Sequence, residues 1–238
     1  MAPGPAKSAT IYVTKLAAAQ RQLHTAIRMT LAGEDELAIH TVAAAAYRLL
    51  RDLKRKRGRS EFSDLFSRGF YAVAHGLATG KLAAVPDDVA ESPQIAKLIE
   101  MIAGEIRRGT IRSATDVGKK LSMSGEAGYW QTFNAAANFL KHADHDAGEL
   151  LSADKVNNAH VLLAACAAYL DLMARRTPEI SAFAVYSLGH DPALTPAPGW
   201  TAAASERFAA LSPAKKRRFC LALLRALKKD AKGKQPKP

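Results

Sequence analysis

The densest run of side chains able to do chemistry lies at 138–146, which reads NFLKHADHD. His142 and His145 are three residues apart, so on a helix they share a face, and Glu149 continues that face if the helix extends. Imidazole and carboxylate groups are ligands for zinc, iron and manganese. His142, His145 and Glu149 are therefore candidate metal ligands.

The same run allows a hydrolytic centre as a second hypothesis. His142 and Asp144 would act there together with His40, which lies on an earlier helix four residues after Glu36. This hypothesis requires His40 and His142 to meet in space. A structural interpretation competes with both, because histidines in the last turn of a helix favour its negative end and Asp144 suits the turn that follows.

Cationic side chains form the clearest pattern in a chain of net charge +12. One cluster occupies 48–59 with Asp52 as its single acid, and a second, KKRR at 215–218, opens the last helix. Cations spaced along a helix neutralise successive phosphates, and such binding weakens steeply with salt. The competing interpretation is a set of solvated helix ends. We predict phosphate contacts from seven side chains: Arg48, Arg51, Arg55, Arg57, Lys215, Lys216 and Arg218.

Other signatures of catalysis are missing from the sequence. There is no GxSxG, no glycine-rich phosphate loop and no dinucleotide fingerprint. Cys166 and Cys220 lie in apolar helical stretches without metal-ligand spacing, which indicates buried thiols in a reducing compartment. We therefore expect no cofactor and no catalytic activity. The expected partner is nucleic acid, with RNA favoured, or another polyanion, and a helical protein-interaction module is the remaining alternative.

Apolar residues recur at helical spacing along most of the chain and never alternate as they do in a strand. The pattern predicts an all-α fold, a multi-helix bundle built from antiparallel hairpins without significant sheet. The first two helices are predicted at 11–31 and 35–56, with the turn between them at Gly33. Ser152 is predicted to cap a long helix through Arg176.

Composition divides the chain into five predicted segments: a disordered lead at 1–10, a helical bundle domain at 11–190, a proline-rich linker or wrapping loop at 191–200, a C-terminal helical pair at 201–230 and a basic disordered tail at 231–238. The first residues have no apolar signal-peptide core, and the longest apolar run, 159–169, is too short to cross a bilayer. We expect a cytoplasmic protein without a membrane span.

Two stretches, 38–47 (AIHTVAAAAY) and 137–144 (ANFLKHAD), resemble signatures of a family of uncharacterised bacterial all-α proteins. This resemblance covers most of the chain up to about residue 190 and implies no activity. The second stretch is also faintly similar to a helix of HEPN domains. Those are helical bundles, often RNases, in which an arginine and a histidine of one helix act at a dimer interface.

The similarity to HEPN domains implies a homodimer in which His142 and Asn138 hold the matching positions. The sequence departs from that pattern, because Ala136 and Ala137 stand where an arginine belongs. The span from Arg68 to His75 has a suitable separation, but Gly69 stands in it where HEPN sequences favour a polar residue. These departures count against an active RNase of this class and leave a HEPN-like fold without the activity as an open alternative.

Overall fold

The fold is known from a computed structural model that describes residues 13–59, 64–86, 93–123, 135–140, 148, 150–152, 156–189 and 200–233. Its principal helices are α1 (Lys15–Ala32), α2 (Glu36–Lys56), α3 (Asp64–Ala78), α4 (Pro93–Arg107), α5 (Ala114–Met123), α6 (Asn158–Met173), α7 (Pro178–Leu188), α8 (Ala202–Ala209) and α9 (Pro213–Gly233). A shorter helical segment covers 135–139. No strand occurs within the described ranges, so the predicted all-α class is confirmed.

The turn between α1 and α2 has the local chemistry that the sequence predicts. Gly33 ends α1 with a φ of 77°, in the left-handed region, and its N–H donates to the carbonyls of Met29 and Thr30. Glycine suits this position because a side chain there would be strained. Asp35 then caps α2 by accepting the Ala38 N–H at 2.9 Å. The predicted break at Gly33 is confirmed.

In the part of the chain that the structure describes, buried apolar side chains form two clusters. The first lies among α1, α2, α6, α7, α8 and α9 and includes Leu23 and Tyr169. The second lies among α3, α4 and α5 and includes Phe70 and Ile102. Phe66 of α3 packs against both clusters and joins them. Burial of each large apolar side chain contributes about 1.5–3 kcal/mol, so these clusters are the main source of stability.

The boundaries of α6 differ from the prediction. The helix begins at Asn158 and not beside Ser152, because the Asn157 side chain accepts the His160 N–H at 2.9 Å and acts as the cap. It ends at Met173, where Ala174 adopts a left-handed φ of 51°. Most faces of α6 are buried because it lies in the middle of the first cluster.

The C-terminal helices α8 and α9 pack into the first cluster through Phe208, Cys220 and Leu224. The predicted helical pair therefore shares a core with the helices that precede it. The tail predicted from 231 begins too early, since α9 continues to Gly233. The segments 1–10 and 191–199 lie outside the described residues, so the lead and the linker stay predictions.

Both cysteines are buried and unpaired, as the sequence predicts. Burial raises the pKa of the Cys166 thiol far above its usual value and that of the Cys220 thiol to about 12. Thiols with such high pKa values are not reactive nucleophiles. In the described part of the chain, no helix combines the length and the apolar character needed to cross a membrane.

Candidate nucleic-acid interface

Lys54, in the middle of the first basic cluster, forms a buried ion pair within the fold. Its ammonium group donates to a carboxylate oxygen of Asp171 on α6 at 2.6 Å, and 2% of the Lys54 side chain and 8% of the Asp171 side chain are exposed. A charge is tolerated at such depth when it is closely paired and hydrogen-bonded. This ion pair therefore ties α2 to α6 and contributes no free charge to the surface.

Arg57 and Arg59, just beyond α2, contact the C-terminal end of α6. Arg59 donates to the carbonyl oxygen of Asp171, and Arg57 donates to that of Leu172 at 3.5 Å. The last carbonyls of a helix lack partners within the helix and form its negative end, so cations stabilise them. Both arginines are exposed but already serve as caps, and the phosphate contact of Arg57 stays a prediction.

The other cations of this cluster lie near an acidic side chain of the same helix or are exposed. Arg51 lies 3.8 Å and Arg55 lies 3.4 Å from the same carboxylate oxygen of Asp52. Arg48 is exposed and forms no ion pair with another described residue. Because most of these cations face an acid or a helix end, the positive surface is weaker than the sequence pattern indicates.

The second predicted cluster lies in the first turns of α9. Lys215 and Arg218 are exposed, whereas Lys216 and Arg217 are partly buried. The Lys216 ammonium lies 5.7 Å from the centre of the Phe208 ring, a cation–π distance. The Arg217 side chain packs over the α1–α2 turn, where its Nε would lie 3.2 Å from a Cβ placed on Gly33. Lys215 and Arg218 are therefore the cations that face solvent here.

Cations follow one outer face of α9. Positions 215, 218, 222, 225 and 229 alternate steps of three and four residues, a spacing that keeps side chains on one face of a helix, and all but Ala222 are cationic. The row spans about 21 Å at 1.5 Å per residue. Four of its members are exposed cations without an ion pair to any described acid, and we call them the α9 row: Lys215, Arg218, Arg225 and Lys229.

An aromatic side chain lies beside the α9 row. Phe219 is 43% exposed, four residues after Lys215. Its inner part joins an aromatic cluster, with ring centres 5.6 Å from Phe208 and 6.0 Å from Trp200. The cluster holds the ring in place while its outer part stays accessible. Sequence reasoning missed Arg225, Lys229 and Phe219, although spacing counted from Lys215 would have found them.

Only one of the candidate catalytic and metal-binding residues, His40, lies within the described part of the chain. His142, Asp144, His145 and Glu149 lie outside the described residues, so their convergence with His40 stays a prediction. His40 itself is 3% exposed, and its Nδ1 lies 3.1 Å from the side-chain oxygen of Asn158. Burial lowers its pKa. Within the described ranges, no group of three or more histidine, cysteine or acidic side chains is placed to hold a metal.

A buried polar cluster joins α1, α7 and α9. The Thr177 hydroxyl lies 2.9 Å from Nε2 of His24, whose Nδ1 lies 3.7 Å from Glu179, and Glu179 also pairs with Arg28 at 3.2 Å and Lys228 at 2.7 Å. Burial raises the pKa of Glu179, but the hydrogen bond from Lys228 and the charge of His24 outweigh it, so the net pKa is lowered. The order hydroxyl, imidazole, carboxylate is that of a hydrolytic triad. Thr177 is buried and caps α7 by accepting the Ile180 N–H, so this cluster is structural.

The observed architecture defines this chain as an all-α bundle with two hydrophobic clusters and a cationic C-terminal helix. Comparison with protein-family models, with curated proteins and with solved structures found no match. The resemblances drawn from 38–47 and 137–144 therefore stay predictions.

Proposed function

We propose that this protein binds single-stranded nucleic acid through phosphate contacts along the outer face of α9. The observation that carries the proposal is the α9 row, which presents four exposed cations in one line without acidic partners among the described residues. Phosphate contacts of this kind supply affinity without reading sequence. The ligand is therefore expected to be bound with little sequence preference.

The direction of α9 supports an anionic ligand. Its first turn contains no acidic side chain, and Lys215 lies near the positive end of the helix dipole. Cations at that end destabilise a helix by about 0.3–1 kcal/mol each, the reverse of their effect at the C-terminal end. Phosphate groups bound there would offset this cost.

The exposed ring of Phe219 favours a single-stranded ligand over a duplex. An exposed aromatic ring beside a row of cations is the arrangement on which unpaired bases stack while the backbone follows the positive charge. In a duplex the bases are already stacked on each other and do not reach such a ring. RNA is the form to test first, in line with the expectation from the sequence.

Replacing all four cations of the α9 row by glutamine should weaken binding of a fluorescein-labelled single-stranded RNA by about 100- to 1,000-fold at 0.1 M salt. The estimate follows from about 0.7 released counterions per phosphate contact on a single strand, over four contacts. Fluorescence anisotropy measures the affinity, and circular dichroism checks that α9 remains folded.

A matched variant controls for net charge. Arg21, Lys81, Lys97 and Arg175 are also exposed, and their replacement by glutamine lowers the charge by the same four units away from α9. This control should lose no more than about 10-fold in affinity, because distant charges act only through the screened field of the whole protein. Equal losses in the two variants would show that α9 holds no specific interface.

Phe219→Leu should lower the affinity for single-stranded RNA by about 5- to 100-fold, because stacking on an aromatic side chain contributes about 1–3 kcal/mol per base. Binding of a duplex of the same length should change less than twofold, since its bases do not reach the ring. A competition titration with the two RNAs measures both effects. A parallel loss for strand and duplex would contradict the stacking role.

A further inference from the structure

A polar cleft opens where the end of α2 meets α3 and the first half of α5. Its volume is about 420 Å³, within the range of small-ligand sites. Its walls carry Arg59, Arg68 and Lys119, and its lining among the described residues includes no acidic side chain. The cleft is formed by helices other than α9, so it is independent of the α9 row.

Three cations line this cleft from different segments. Arg59 is fixed in direction by its hydrogen bond to the Asp171 carbonyl. Arg68 and Lys119 are exposed and form no ion pair with another described residue, whereas the neighbouring Lys120 is bound to Glu105 at 3.0 Å. Lys54 also lines the cleft, but its charge is matched by Asp171. The Asp116 carboxylate, whose pKa is lowered chiefly by the hydrogen bond from the Arg112 N–H and in part by the charge of Lys119, offsets some of this charge, and the described lining remains net positive.

The N-terminus of α5 faces the same space. Ser113 caps this helix by accepting the Asp116 N–H at 3.3 Å, and the Asp116 carboxylate turns back to accept the Arg112 N–H at 3.1 Å. Ala114 and Thr115 line the cleft, and their N–H groups make no hydrogen bond with a described residue. Free N–H groups at the positive end of a helix are donors to anions.

Ser67 contributes a further polar group. It lines the cleft, and the structure shows no hydrogen bond from its hydroxyl to another described residue. This hydroxyl is therefore a donor that a bound oxyanion could accept from.

We propose that this cleft binds a phosphate monoester dianion, with Arg59, Arg68 and Lys119 neutralising its charge and α5 and Ser67 donating hydrogen bonds. The volume accommodates the sugar attached to the phosphate as well. Among the described residues that line the cleft, none is aromatic and able to stack on a base. The ligand is therefore recognised by its phosphate and sugar, either as a free sugar phosphate or as the phosphorylated 5′ end of a strand.

Titration calorimetry with ribose 5-phosphate, with ribose as the blank, tests this proposal. If the ligand is a free sugar phosphate, the wild-type chain should bind ribose 5-phosphate saturably, and for either source of the phosphate it should not bind ribose. Arg68→Gln with Lys119→Gln should weaken binding at least 10-fold, since both side chains are exposed and their loss leaves the fold intact. Lys81→Gln with Lys97→Gln, which removes equal charge elsewhere, should bind as the wild type does.

The phosphorylated probes are also titrated into the α9 row variant, so that binding at the cleft is measured apart from binding along α9. In that background, a saturable response to ribose 5-phosphate identifies a free sugar phosphate. A response only to an oligonucleotide with a 5′ phosphate, and not to its 5′-hydroxyl twin, identifies a strand end. No response to either phosphorylated probe, or an affinity unchanged in the Arg68 and Lys119 variant, would overturn the proposal and leave the role of α9 untouched.

Discussion

Lys54→Met is expected to lower the free energy of unfolding by about 3–5 kcal/mol. The substitution keeps the length and most of the volume of the side chain but removes the Lys54 ammonium, which lies 2.6 Å from the buried Asp171 carboxylate. Most of the expected decrease in stability comes from the loss of this ion pair at a buried position. Urea denaturation followed by circular dichroism measures it.

The double variant Lys54→Met with Asp171→Leu separates charge from packing. Removing both charges eliminates the buried carboxylate that has lost its Lys54 partner, so the double variant should recover at least half of the stability lost by the single one. Lys56→Met is the matched control, because Lys56 is exposed two residues further along α2 and should change stability by less than about 0.5 kcal/mol. Additive losses in the double variant would contradict the pairing.

Stability should fall as the pH decreases from 7.5 to 5.5. Burial lowers the pKa of three histidines, His24, His40 and His160, below the ordinary value of 6.5, although Glu179 opposes the shift at His24 and the hydrogen bond to Asn158 opposes it at His40. A histidine whose folded pKa is lowered binds more protons when unfolded, so its contribution is complete above about pH 6.5 and is lost as the pH falls through the folded pKa.

The size of this effect follows from the same linkage. Each unit by which a histidine pKa is lowered contributes about 1.4 kcal/mol to the decrease in the free energy of unfolding. His160 is the best position to test it, because burial is the single cause of its shift. In His160→Gln the slope of unfolding free energy against pH should become shallower in this window. A slope identical to that of the wild type would contradict the assignment.

Local signals in the sequence predicted those elements whose ends depend on near neighbours. Gly33 ends α1 because glycine adopts the left-handed conformation at no cost, and Thr177 with Pro178 starts α7 through a cap and a preset φ. Ser152 failed as the cap of α6 because serine and asparagine are both good caps. Only the fold shows that the Asn157 side chain is the one that accepts an N–H of the helix.

The first basic cluster shows what sequence alone does not reveal. Lys54, Arg57 and Arg59 look like solvated cations, but their acceptors on α6 are more than 100 residues away along the chain. No pattern within 48–59 indicates those partners. The cations of α9 are different, since their exposure follows from helical spacing, and Arg225 and Lys229 could have been assigned with Lys215 and Arg218.

The salt dependence of RNA binding tests most directly the claim that α9 neutralises phosphates. The affinity of the wild type and of the α9 row variant for the same single-stranded RNA is measured between 0.05 and 0.3 M salt. The logarithm of the wild-type affinity should fall with the logarithm of salt concentration more steeply than that of the variant, by a slope difference of about 3. Equal slopes for the two proteins would contradict the account, because they would mean that none of the four cations releases a counterion on binding.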